Sequence, residues 1–203
     1  MSVVATVAGI PVRVDEVDAA EARLRAGPGA AALPSRGTGE GRQLRRWLTQ
    51  LMVTERVVAA EADARGLSGR GAPSEAELLP DATARLELGS VAAAALADPR
   101  ARALFADVTA GVWVADEEVA AYHARNPLRF AEPGREEHGW RAPPPVGPRL
   151  DDVRPAIADH LRGAARRRAF RVWLDARRAE LVRLAPGYEH PGDPRQPDNV
   201  HRH

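Results

Sequence analysis

Histidine is the side chain in this sequence best suited to acid–base or metal chemistry, because its ordinary pKa lies near neutrality. There are six. His190, His201 and His203 sit near the C-terminal end among Glu189, Asp193 and Asp198. Imidazole beside carboxylate suits Zn or Cu, and His201 and His203 would converge on one ion if the chain folded back. The competing reading is a solvated tail, since flexible ligands close a site only after the ordering entropy is met. His123 shares a helical stretch with Val119 and Tyr122 and reads as a packed or surface histidine. His138 lies beside Glu136 and Glu137 in a solvated setting, and His160 next to Asp159 is expected to face Asp or Arg neighbours. There is no HExxH pair, no GxSxG elbow, no GxxxxGK[ST] loop and no GxGxxG turn, so hydrolase and nucleotide chemistry lack support. The absence of Cys removes disulfides, thiolate metal sites and Cys nucleophiles together. No catalytic residue is assigned.

Aromatic residues are few, at 4%, which makes each informative. Trp47 and Trp173 fall on apolar helical positions and are expected in the core. Trp113, Tyr122, Phe130 and Trp140 are predicted to line an apolar groove of the kind that takes peptides or amphipathic helices. Every basic side chain is Arg, and the densest run is Arg162–Arg178. Asp151, Asp152, Asp159 and Asp175 share that helix and the net charge is only +1. The run therefore reads as a solvated amphipathic face rather than a nucleic-acid site.

The elements that must position these residues are mostly helical. A core of Ala, Leu and Val suits close-packed helices better than a β-sandwich. Val3–Val7 and Ile10–Val12, split by Ala8-Gly9, predict a hairpin, and Pro11 places its strand at a sheet edge. Helices are expected from Asp15 to about Arg25, over Arg42–Arg65, near Ser74–Glu77, over Ala82–Ala97, over Arg100–Thr109, from Asp116 until Asn126-Pro127 breaks it, and over Asp151–Arg178. Ala30–Glu40 reads as a mobile loop. The apolar run within Glu180–Leu184 predicts a closing strand. Ala131–Arg149 holds five prolines and three glycines in nineteen residues, too short and too broken for a packed domain. Residues 186–203 read as an extended tail. No apolar run reaches the ~18–20 residues that span a bilayer, and no secretory signal opens the chain. A cytoplasmic protein that binds neither membrane nor nucleic acid is the expectation.

Three segments carry a family resemblance. Val3–Leu24, VVATVAGIPVRVDEVDAAEARL, resembles the opening strand and helix of SurA/PpiC-type folding factors, with Ala8-Gly9 where that family usually has Asn-Gly. Val114–Phe130, VADEEVAAYHARNPLRF, resembles the helix that precedes the family's parvulin isomerase domain, and Leu150–Leu184 resembles the helix and strand that follow it. The resemblance implies a mainly α, SurA-like helical bundle over residues 1–185, with a small β element pairing the N-terminal hairpin and a C-terminal strand. It also implies client binding by that bundle. Residues 131–149 stand where the parvulin domain would be, and the catalytic residues of that domain have no counterpart. The expected function is a non-catalytic, chaperone-like scaffold for a peptide or protein client. The alternative is an accessory protein of a biosynthetic pathway, metal-dependent through the His-rich tail; a homodimer that fills its own groove is a third possibility.

Overall fold

The structure, a computed structural model, describes residues 2–131 and 147–189. Val3–Val7 (β1) and Ile10–Arg13 (β2) form the expected hairpin. Its turn sets Ala8 at φ 49° and Gly9 at φ 82°. Two successive positive φ values match the right-handed twist of the flanking strands, and glycine at the second position carries the larger excursion without strain. Helix α1 (Val14–Arg25) follows at once, its start fixed by the Arg13 N–H donating to Glu16 Oε1 at 2.9 Å.

Helix α2 (Gly39–Ala64) is the central pillar. Thr38 caps it, its hydroxyl accepting from the Gly41 N–H at 3.1 Å. Its buried face carries Leu48, Val53, Val57, Val58 and Ala62, against which β1, α1 and the later helices pack. Short helices α3 (Glu75–Leu78), α4 (Ala82–Leu88) and α5 (Ser90–Ala95) lead to α6 (Pro99–Val108) and α7 (Asp116–Arg125). Helix α8 (Leu150–Leu181) then runs back along the molecule into β3 (Val182–Leu184). None of the helices among the described residues is long and apolar enough to cross a membrane.

The predicted closure of the chain is present. The sheet has the order β2-β1-β3, with both pairings antiparallel, so the first strand is central and the last completes its other side. Pro11 lies on the edge strand β2, as its missing N–H requires. Ala5, Thr6 and Val7 face Leu184, Arg183 and Val182 in register. The Ala8 N–H donates to the Leu181 carbonyl at 2.8 Å and the Ala185 N–H to that of Val4 at 2.9 Å, extending the ladder by one bond at each end.

Three expectations change in detail. Ala82–Ala97 is two helices, because Gly89 takes φ 89° and ψ 149°, a region essentially restricted to glycine, and turns the chain between α4 and α5. The loop from Ala30 is anchored rather than mobile. Glu21, buried on α1, accepts from Arg25 at 2.7 Å, Arg36 at 3.0 Å and Arg45 at 2.9 Å, while Arg25 also donates to the Pro34 carbonyl at 2.7 Å. One carboxylate thus ties α1, the loop and α2 together. On α8 the buried positions are Ile157, Arg167, Phe170 and Leu174, with Ala169 and Trp173 on the flank. A strict four-residue repeat precesses about 40° per step around a helix of 3.6 residues per turn. The sequence sets Val153, Ile157, Leu161, Ala165, Ala169 and Trp173 at that spacing and so suggests one apolar side, but such a row cannot stay on one face.

Burial alone would push the Glu21 pKa up, but the hydrogen bonds from Arg25, Arg45 and Arg36 outweigh it and hold the group at about 2 against an ordinary 4.5. A carboxylate with a depressed folded pKa contributes stability that is complete above its unfolded pKa. That stability is lost as pH falls toward the folded value. Acid titration should therefore remove on the order of 3 kcal/mol between pH 4.5 and 2 through this group. Glu21→Gln should lower stability at pH 7 by a similar amount and flatten the acid limb, which denaturant melts across pH will read.

The terminal strand makes a second test. Val182, Leu184 and Tyr188 pack against the core. Deleting residues 182–203 should cost about 4 kcal/mol or more and lower the melting temperature by roughly 10 °C. Deleting 190–203 should leave it within about 2 °C, in line with the tail's low apolar content.

Candidate functional site

An open groove of about 710 Å³ lies where α8 meets the α4–α5 turn and β3. Leu88, Val91, Ala92 and Leu174 supply its apolar walls, and Arg171, Asp175, Arg178 and Arg183 its polar groups. The sequence builds it in three steps. Gly89 turns the chain so that the end of α4 and the start of α5 face α8. The Trp47 indole N–H donates to Ser90 Oγ at 3.1 Å and holds that turn against α2. The last turn of α8 passes straight into β3, which places Val182 and Leu184 along the rim.

β3 is an edge of the sheet, with no further strand beyond it among the described residues. Its bonds to β1 involve the positions flanking Val182 and Leu184, so the polar backbone of Leu184 points away from β1. Arg183 partly covers this edge. Its Nη1 donates to the carbonyls of Val182 at 2.9 Å and Ala179 at 3.2 Å, closing the C-terminal end of α8.

Arg178 is the most unusual group here. Its guanidinium donates to Thr54 Oγ1 at 2.7 Å and to Gln50 Oε1. Gln50 in turn donates from Nε2 to the Tyr188 carbonyl at 2.7 Å. Thr54 and Gln50 are both fully buried, and neither carries charge. Burial pushes the Arg178 pKa down, and Asp175 offsets this only by attraction from beyond ion-pair distance. Gly187 and Tyr188 are thereby held on the body, the Arg46 Nε–H donating to the Gly187 carbonyl at 3.0 Å, so residues 186–189 are docked where an extended tail was expected. A smaller cavity of about 280 Å³ lies between Arg42, Arg45, Arg46, Gly187 and Tyr188.

The structure brings together two of the four aromatic residues expected to form a groove. Tyr122 on α7 and Phe130 meet edge-on, with ring centroids 6.3 Å apart. His160 on α8 joins them, 5.4 Å from the Tyr122 ring and 6.0 Å from Phe130, with its Nε2 3.3 Å from the Tyr122 hydroxyl. His160 thus faces aromatic neighbours where acidic or Arg partners were expected; Asp159 instead pairs with Arg162 at 3.4 Å. Among the described residues, no carboxylate is hydrogen-bonded to His160. Trp113 points outward at 75% exposure, and Trp140 lies outside the described residues. Trp47 and Trp173 pack on the margin of the core, Trp173 5.5 Å from Phe170 and under the Arg65 guanidinium.

His123 Nε2 lies 2.9 Å from the Pro148 carbonyl. No group of three or more His, Asp or Glu among the described residues is arranged to hold a metal ion. The proposed ligands His190, His201 and His203 lie outside those residues. Sequence reading missed the arginine-lined groove. Its one advance signal was Gly89 inside an Ala-rich helical run, a position with no packing reason to be glycine.

Residues 3–40 match the model of a family of unknown function (DUF7158), which covers β1, β2, α1 and the anchored loop. No curated protein and no solved structure matches the chain.

Proposed function

We propose that this protein is a non-catalytic scaffold that binds an extended peptide or an unfolded segment of a protein client. The observation that carries the reading is the open, largely apolar groove bordered by the edge strand β3. Extended peptides bind such borders by adding a strand, with affinity from main-chain hydrogen bonds and selectivity from the pockets that receive alternate side chains. Leu88, Val91, Ala92 and Leu174 offer apolar contact for those side chains. The resemblance to SurA/PpiC-type folding factors supports a client-binding role. The replacement of the parvulin segment by residues 131–149 supports the absence of isomerase chemistry.

Ala179 is exposed and lines the groove without belonging to the core. Ala179→Trp should fill it, weaken a short fluorescein-labelled apolar peptide by about tenfold or more, and leave the melting temperature almost unchanged. Anisotropy titration reads the first and calorimetry the second. Unaltered affinity in the variant, or no affinity in the parent chain, would remove the groove from the account. In a coupled assay on an X-Pro peptide the protein should give the uncatalysed rate, and acceleration that survives purification would contradict the non-catalytic reading.

A further inference from the structure

Several arginines that leave water among the described residues are compensated by a carboxylate or an aromatic ring. Arg167, buried to 6% exposure, meets Glu87 at 2.7 Å, Arg177 meets Glu61 at 2.6 Å, and Arg45 meets Asp18 and Glu21. Arg166, which lacks a carboxylate, lies over the Phe105 ring with its charge carbon 5.3 Å from the centroid and also donates to Thr109 Oγ1 at 2.8 Å. Among the described residues, Arg178 has neither kind of compensation. Its contacts are the neutral oxygens of Thr54 and Gln50, and it faces the groove.

A partly desolvated cation held only by neutral acceptors retains an unmet attraction for an anion. The C-terminal dipole of α8 offsets part of it, since Arg178 lies in the last turn. Arg183 already uses those terminal carbonyls, and Arg171 reaches only the Glu87 carbonyl at 3.5 Å. The groove therefore presents three guanidiniums against the single carboxylate of Asp175. Its walls remain apolar, so the complementary ligand carries a carboxylate within an apolar sequence.

Building on the peptide-binding reading above, we infer that the groove selects peptides bearing an acidic side chain between apolar residues, with Arg178 as the carboxylate anchor and Arg171 and Arg183 as the surrounding positive field. Thr54 and Gln50 fix the guanidinium from behind, which pre-organises it for a carboxylate approaching from the groove.

The test uses two amidated, fluorescein-labelled peptides that differ only by Glu or Gln at the central position, titrated against the intact chain. The Glu peptide should bind about tenfold more tightly at low salt, with the preference shrinking as salt rises. Arg178→Gln should bring the two affinities together, and Arg178→Lys should keep part of the difference, because it retains the charge and loses the fork. Should Arg178→Gln fail to fold, the double variant Arg171→Gln/Arg183→Gln should reduce the preference severalfold. Equal binding of both peptides by the parent chain would overturn the acidic preference and leave the groove reading standing. Binding of neither would overturn both. A Glu preference that survives in the folded variants would place the anchor elsewhere and contradict the assignment to Arg178.

Discussion

The docking of β3 on β1 is the constraint on which the other features depend. Three residues at one end of the described chain complete a sheet begun by five at the other, and α8, 32 residues long, spans the interval. A two-stranded hairpin is marginal alone in water. With β3 in place, β1 becomes a central strand whose Val4, Ala5 and Val7 are almost fully buried. The closure also fixes the axial position of α8. Phe170 then reaches Phe105 at a ring separation of 5.0 Å, Arg167 reaches Glu87, and Arg178 reaches Thr54 and Gln50. The groove is a consequence of the same placement, because its rim is the passage from α8 into β3.

Charge has a larger structural share here than the near-neutral total suggests. With only nine aromatic residues in 203, tertiary contacts that bulky rings would often make fall partly to long arginines. Arg45, Arg36 and Arg25 converge on Glu21, and Arg102 donates to the carbonyls of Pro73, Leu96 and Ala97, joining α6 to the segments before it. A planar guanidinium with five donors satisfies several acceptors at once, which suits the many backbone carbonyls that short helices leave open at their ends.

Elements with a local signature were legible in the sequence. The Ala8-Gly9 turn and the helix start at Ser74–Glu77 each encode their geometry within a few residues, and both are present. The closing strand was legible because unpaired strands at both ends of one chain have few alternatives. The anchored loop was not, since Arg36 lies fifteen residues from Glu21 and nothing local links them. The groove was missed for the same reason. Leu88, Leu174 and Leu184 are ordinary apolar residues in sequence, and only the Gly89 turn and the sheet register bring them to one surface. Tyr122 and Phe130 were read as partners from their types alone, but the histidine that joins them comes from a helix whose facing depends on the closure.

Amide hydrogen exchange tests that dependence most directly. If β3 is integral to the cooperative unit, the Ala8 and Ala185 amides, which donate to Leu181 and Val4, exchange only through global unfolding. Their protection then equals that of core amides such as Val57 on α2 and falls in parallel with it as denaturant is added. Exchange of Ala8 and Ala185 at much lower free energy, with Val57 still protected, would mean that the strand frays independently. The fold and the groove would then not rest on the closure.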